Sequence, residues 1–150
     1  MQIIEVKIKD RKKYIDLLLL GDEDRNMVNK YIYDGKMYAI DHEGSFIASI
    51  LIIFKEEDVI EIKNIAVDPN YQRRGYGKFL IEFIASLYGD YFNSMIVGTG
   101  ESPLTLPFYK SCGFEEYYRL ENFFTDNYKE PIFEEGIQLI DMIYLRRHMI

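Results

Sequence analysis

The stretch Ile62-Lys63-Asn64-Ile65-Ala66-Val67-Asp68-Pro69-Asn70-Tyr71-Gln72-Arg73-Arg74-Gly75-Tyr76-Gly77-Lys78 decides how the rest of the chain is read. Its opening residues are the end of a strand-like run, Val59 to Val67. Asp68-Pro69-Asn70 stops that run, because Pro69 has no amide hydrogen to give a central strand. Gly75 and Gly77 then open a segment, Gly75 to Tyr88, in which Phe79, Leu80, Phe83, Ile84 and Leu87 recur at helical spacing. The first amide hydrogens of a helix lack internal partners, and its dipole places positive potential there. Glycines allow the backbone to approach a ligand closely. Arg73, Arg74 and Lys78 add local positive charge. A pyrophosphate suits such a site, although an ordinary strand, turn and helix accounts for the same residues equally well when they are taken alone. The third glycine of a dinucleotide fingerprint is missing from Gly75 to Leu80, and no glycine-rich stretch ends in Gly-Lys-Ser/Thr, so two familiar phosphate motifs are excluded.

Upstream, Gln2 to Lys9 alternates apolar and polar residues, as a half-buried strand does. Asp10 is placed to cap a following helix with Tyr14, Leu17, Leu18 and Leu20 on its buried face, and Asp22 to Tyr33 is a second helix-compatible segment. Lys36 to Asp41 and Ser45 to Lys55 read as strands joined by the turn His42-Glu43-Gly44. Downstream come a strand at Met95 to Thr99, a short helix from near Pro103, and strands at Phe114 to Leu120 and Leu139 to Leu145. Asn122 to Gly136 is the one long irregular stretch, and long loops are often functional. This order predicts a single domain over residues 1–150, built on one mixed sheet with helices on both faces.

The 150 residues suffice for one buried core, and 48% hydrophobic against 29% charged residues describes a folded chain rather than a disordered one. A net charge of -7 repels the phosphate backbone, which argues against nucleic-acid binding and suits a cationic substrate. Cys112 is the only cysteine, so an internal disulfide or a zinc cluster is excluded and a reducing compartment, the cytoplasm, is expected. Asp16 interrupts the apolar residues near the start, unlike a signal peptide, and the longest apolar run, Phe46 to Phe54, is too short to cross a bilayer.

Gln72-Arg73-Arg74-Gly75-Tyr76-Gly77 resembles the Gln/Arg-x-x-Gly-x-Gly/Ala signature of the GNAT superfamily of N-acetyltransferases, and Asn64-Ile65-Ala66-Val67-Asp68-Pro69 resembles its usual lead-in. Phe108-Tyr109-Lys110-Ser111-Cys112-Gly113-Phe114 resembles the family's second landmark, a helix ending in Tyr followed by Gly-Phe. The resemblance implies an α+β fold with a mixed, mostly antiparallel sheet between layers of helices. It implies acetyl-CoA as co-substrate, its pyrophosphate wrapped by Gln72, Arg73, Arg74, Gly75, Tyr76 and Gly77 together with Lys78. Ile65, Ala66 and Val67 would hold the pantetheine arm through main-chain hydrogen bonds, in a gap between their strand and Met95 to Thr99. Phe108 and Tyr109 would border the cofactor. Where many members carry an Asn near the start of the second landmark's helix, this chain reads Ser102-Pro103-Leu104-Thr105-Leu106, so Ser102 or Thr105 is expected to supply the polar contact.

The implied reaction is transfer of acetyl to a primary amine by direct attack on the thioester. An alkylamine is mostly protonated near pH 7, so a base must take its proton. By the same resemblance the Val67 amide stabilises the oxyanion, Tyr109 is the acid that protonates the departing thiolate, and Glu61 is the base. The alternatives are a Tyr109 that only packs on the cofactor, a solvated Glu61 with water as the base, and a non-catalytic acyl-CoA-binding sensor of the same fold. A thiol needs a base and a lowered pKa to act, so Cys112 is read as packing. His42 and His148 read as solvent-exposed, and the acidic positions Glu115, Glu116, Glu121, Asp126, Glu130, Glu134 and Glu135 read as surface, with attraction of a cationic substrate as the other reading. Dimers are common in the family, and Asn122 to Gly136 is the segment expected at such an interface.

Overall fold

The computed structural model describes residues 2–149. The chain runs β1 (Gln2–Glu5), α1 (Ile15–Gly21), α2 (Arg25–Tyr31), β2 (Lys36–His42), β3 (Ser45–Lys55), β4 (Val59–Val67), α3 (Tyr76–Tyr88), β5 (Ser94–Gly100), α4 (Thr105–Ser111), β6 (Glu115–Leu120), α5 (Phe123–Asn127), β7 (Phe133–Glu134), β8 (Ile137–Gln138) and β9 (Met142–His148). Tight 3-10 turns cover Ile8–Tyr14 and Pro69–Tyr71. The main sheet has seven strands in the order β1-β2-β3-β4-β5-β9-β6, and β7 and β8 form a separate hairpin. Every pairing in the main sheet is antiparallel except β4 with β5. The β2–β3 turn places both Glu43 (φ 53°) and Gly44 (φ 83°) in the left-handed region, the geometry that follows the natural twist of a hairpin.

Each face of the sheet buries its own core. On one face Leu80, Ile81 and Ile84 of α3, with Tyr109 and Cys112 of the α4 region, pack on Ile40, Ile50, Ile52, Ile60 and Ile62. On the other, Leu17 and Leu18 of α1 and Val28 and Tyr31 of α2 pack on Met37, Ala39, Leu51 and Ala66. In β4 the two faces change step at a bulge: Leu51 pairs with Asn64 but Ile52 pairs with Ile62, so Lys63 is the extra residue.

The structure departs from several sequence expectations. The first strand ends at Glu5 instead of Lys9, because Arg11 pulls the following segment into a turn. Its guanidinium is buried and donates to the carbonyls of Ile32 at 3.0 Å, Asp34 at 2.6 Å and Gly35 at 2.9 Å. Asp10 therefore lies inside the turn and caps nothing, pairing with Lys13 at 3.2 Å. Leu20 is half exposed rather than buried. The second helix starts at Arg25, capped by Asp24, whose carboxylate accepts from the amides of Asn26 and Met27. In α3 the buried stripe is Gly77, Leu80, Ile81, Ile84 and Ala85, while Phe79 and Leu87 are exposed. Gly77 sets this rotation: a Cβ there would stand 2.9 Å from Phe108 Cζ, so the bare face of the helix turns inward. His42 is half-buried, its Nδ1 enclosed without a hydrogen-bond partner among the described residues, rather than solvent-exposed. Asn122 to Gly136 is not irregular throughout, since it holds α5 and β7. The last strand begins at Met142, after Asp141 has turned the chain by accepting from Arg119 and from the Asn122 amide at 2.8 Å. Among the described residues no helix is long and apolar enough to cross a membrane.

Candidate active site

The loop between β4 and α3 is built from its own turn chemistry. Asp68 accepts from the Asn70 amide at 2.8 Å, Pro69 starts the short 3-10 turn, and the Gln72 side chain donates back to the Val67 carbonyl at 3.0 Å. Arg73 (φ 63°) and Gly75 (φ 87°) both adopt left-handed backbone, which turns the loop tightly into α3. Loops of this kind gather amides into a concavity that suits an anion. The first helical hydrogen bond runs from the Phe79 amide to the Gly75 carbonyl, and among the described residues no side chain caps the amides of Tyr76, Gly77 and Lys78 before it. Arg73, Arg74 and Lys78 are exposed and form no ion pair among the described residues. Arg74 lies over the Tyr71 ring at 5.4 Å. These features fit a pyrophosphate, which carries the charge and acceptor oxygens that such amides and cations need.

Beside this loop the sheet opens. β4 and β5 pair in parallel from Val59 with Ser94 to Ile62 with Val97, and no further. From the bulge at Lys63 onward, β4 is held by β3 alone among the described residues, and its other edge is unpaired there. An unpaired strand edge is a ready template for an extended chain. A cavity of about 250 Å³ occupies the opening, lined on the sheet by Glu61, Ile65, Val97 and Thr99 and on the α4 side by Thr105 and Tyr109. Ile65 lines the cavity, while Ala66 and Val67 continue β4 beyond it toward the loop.

The structure sorts the expected site residues. Tyr109 is buried, and burial, with smaller contributions from Cys112 and Glu134, pushes its phenol well above the ordinary value of 10.0. Glu61 also lines the cavity but from the opposite face of the sheet, where the Tyr144 hydroxyl lies 3.5 Å from its Oε2. Lys55 and Lys63 approach its carboxylate at 3.6 and 3.8 Å, so Glu61 is a buried, partnered acid and not a solvated one. Thr105 shares a 2.6 Å hydrogen bond with Thr99 at the cavity wall. Ser102 is buried and its hydroxyl accepts from the Leu104 amide at 3.1 Å, which uses it to shape the turn into α4. Phe108 lies under the glycine loop against Gly77.

The wall facing α1 and α2 escaped the sequence reading. Asn64 donates to the Leu18 carbonyl at 2.8 Å and to the Tyr31 hydroxyl at 2.9 Å. Tyr31 in turn donates to Asp22 at 3.2 Å, and Asp22 also accepts from Tyr128 at 3.1 Å. This chain of bonds ties β4 to the loop before α2 and to the segment after α5, closing the cavity on one side. Burial raises the Asp22 pKa above its ordinary value, against the pull of these donors. No local spacing joins residues so far apart in sequence, so only the fold reveals the set.

Open-edged strand, glycine loop and shared cavity define an acyl-CoA-using transferase, and comparison with known proteins agrees. A family model described as "Acetyltransferase (GNAT) domain" matches residues 33–116. The chain is 35% identical over 148 residues to the uncharacterized N-acetyltransferase YvbK of Bacillus subtilis (strain 168), covering 95% of this chain and 93% of that protein. It superposes on an IAA acetyltransferase from Bacillus cereus ATCC 14579 with a TM-score of 0.89 and 31% identity, over 98% of each chain. A GNAT family acetyltransferase from Elizabethkingia anophelis with acetyl-CoA bound gives a TM-score of 0.90 and 32% identity, over 98% of this chain and 97% of that one. The chain belongs to the GNAT acetyltransferase family. Its enzyme class is acetyl-CoA-dependent N-acetyltransferase.

Proposed function

We propose that the protein transfers the acetyl group of acetyl-CoA to a primary amine by direct attack of the amine on the thioester. The observation that carries this reading is the opening of the sheet beyond Ile62 and Val97, where one cavity is lined by both Glu61 and Tyr109. Acetyl-CoA supplies an activated acyl carbon. The chain's own residues do the rest. The amides of Tyr76, Gly77 and Lys78, with Arg73 and Arg74, hold the pyrophosphate. The free edge of β4 at Ile65, Ala66 and Val67 takes the pantetheine arm as an added strand. Phe108 keeps the loop seated, and Thr105 offers a hydroxyl at the wall.

Glu61 takes the proton of the amine, directly or through water, and Lys55 and Lys63 hold its carboxylate in place. The Val67 amide polarises the carbonyl as charge builds on its oxygen. Burial keeps the proton on Tyr109, so its first service is a hydrogen bond to the sulfur, and the proton follows as the thiolate leaves. The acceptor is cationic before it reacts, and the acidic chain favours its approach.

The test is a release assay for free thiol, run over a panel of primary amines with product mass measured. Amine-dependent thiol release with a matching N-acetyl product is expected, and Glu61→Gln and Tyr109→Phe should each lower kcat. Tight binding of acetyl-CoA without acetylation of any amine would instead identify a non-catalytic sensor.

A further inference from the structure

Four carboxylates line the cavity, from Asp22, Glu23, Glu61 and Glu134, and they differ in what already satisfies them. Glu61 has Lys55, Lys63 and the Tyr144 hydroxyl. Asp22 accepts from Tyr31, from Tyr128 and from the Asp24 amide at 3.3 Å. Glu23 is exposed to water. Glu134 is different. It sits in β7, is partly buried, and its Oε2 is enclosed without a hydrogen-bond partner among the described residues. An enclosed carboxylate oxygen with no donor is costly, and a donor that arrives from outside removes that cost. Glu134 itself lines the cavity, so a ligand seated there can supply the donor.

The surroundings state what kind of ligand. Phe123, Phe124 and Tyr128 reach the same cavity from the segment just before Glu134, with ring centroids of Phe124 and Tyr128 5.5 Å apart. Aromatic faces beside a carboxylate favour an organic cation, whose charge meets the acid and whose carbon skeleton meets the rings. The cavity volume of about 250 Å³ must also admit the end of the pantetheine arm, which leaves room only for a small molecule or a single chain end.

From this arrangement we infer that Glu134 is the acceptor-anchoring residue of the enzyme: its carboxylate binds the ammonium of a small organic amine and the aromatic residues of α5 and its flank bind the carbon skeleton. The inference rests on the amine-acetylating reading above. It assigns Glu134 to positioning and specificity, leaving proton removal to Glu61. An ammonium held at Glu134 is either the second cationic group of a diamine or the reacting group at its first stop. Neutral and anionic isosteres of the same shape bind more weakly, because they bring no positive charge to meet the carboxylate.

The test uses the full chain saturated with CoA and titrates it, with amide resonances observed, with butylammonium, butane-1,4-diammonium and 2-phenylethylammonium, each beside its neutral alcohol. The ammonium ions are expected to bind and the alcohols to bind far more weakly. Glu134→Gln, which keeps size and shape, should weaken ammonium binding at least about ten-fold while leaving CoA affinity unchanged. The second result confirms that the variant is folded. Equal affinity of wild type and Glu134→Gln overturns the inference, as does failure of every ammonium ion to bind wild type. Acetylation measured in parallel separates the two readings. Ammonium binding at Glu134 without acetylation defeats the amine-acetylating reading alone. Acetylation whose amine KM is the same in Glu134→Gln defeats the anchor alone.

Discussion

Tyr109 shows how far a residue's surroundings decide what it can do. Burial raises its phenol above 10.0, so it holds its proton throughout the neutral range. Tyr109→Phe is expected to lower kcat about 100-fold with little change in the KM for acetyl-CoA, which steady-state kinetics will measure. The pH profile of kcat should carry no falling limb from Tyr109 below its ordinary value of 10.0, and a limb near pH 8 that vanishes in Tyr109→Phe would contradict the assignment. Arg11 makes the same point for stability. Its guanidinium is buried against the carbonyls that end α2, and Arg11→Ala leaves them without donors. Chemical denaturation should show a loss of about 3 kcal/mol. The place of Tyr109 on the cavity wall was legible because a motif surrounds it. Arg11 was not, since an arginine followed by two lysines looks like solvent-facing charge until the chain folds back over it.

At the scale of elements, β4 and the glycine loop were legible almost to the residue, because proline, glycine and β-branched residues act locally. The rotation of α3 was not, because Phe79 and Leu87 complete an apolar stripe as convincing as the one that is buried. Only contact between Gly77 and Phe108 across two elements distinguishes the two. The loop's glycines accordingly act in different ways. Gly75→Ala meets no neighbouring atom but must hold a left-handed backbone, at a cost of about 1 kcal/mol in thermal stability. Gly77→Val drives into Phe108, and should displace the loop and abolish acetyl-CoA binding while Gly75→Ala only weakens it. The segment after β6 defeated sequence reading for a similar reason: α5 and the β7–β8 hairpin are too short to declare themselves by period.

Across the whole molecule, two layers of helices hold a sheet that is closed at one end of β4 and β5 and open at the other. The link from Asn64 through Tyr31 and Asp22 to Tyr128 fastens the wall of that opening. Tyr128→Phe should therefore raise the amine KM and leave acetyl-CoA binding intact. Burial raises the Asp22 pKa, so its protonated form is the one folding favours. Its contribution to stability is full at acidic pH below the ordinary value of 3.8 and is lost as pH rises through the higher folded value. Wild-type stability relative to Asp22→Asn should accordingly fall as pH rises through that range, which urea denaturation at a series of pH values will reveal. The glycine loop and the open strand edge are expected to form one acetyl-CoA site. Isothermal calorimetry of acetyl-CoA with wild type and Gly77→Val measures this. Tight one-to-one binding by wild type and none by the folded variant is the expected result. Equal binding by both proteins, or no binding by folded wild type, would contradict a shared site.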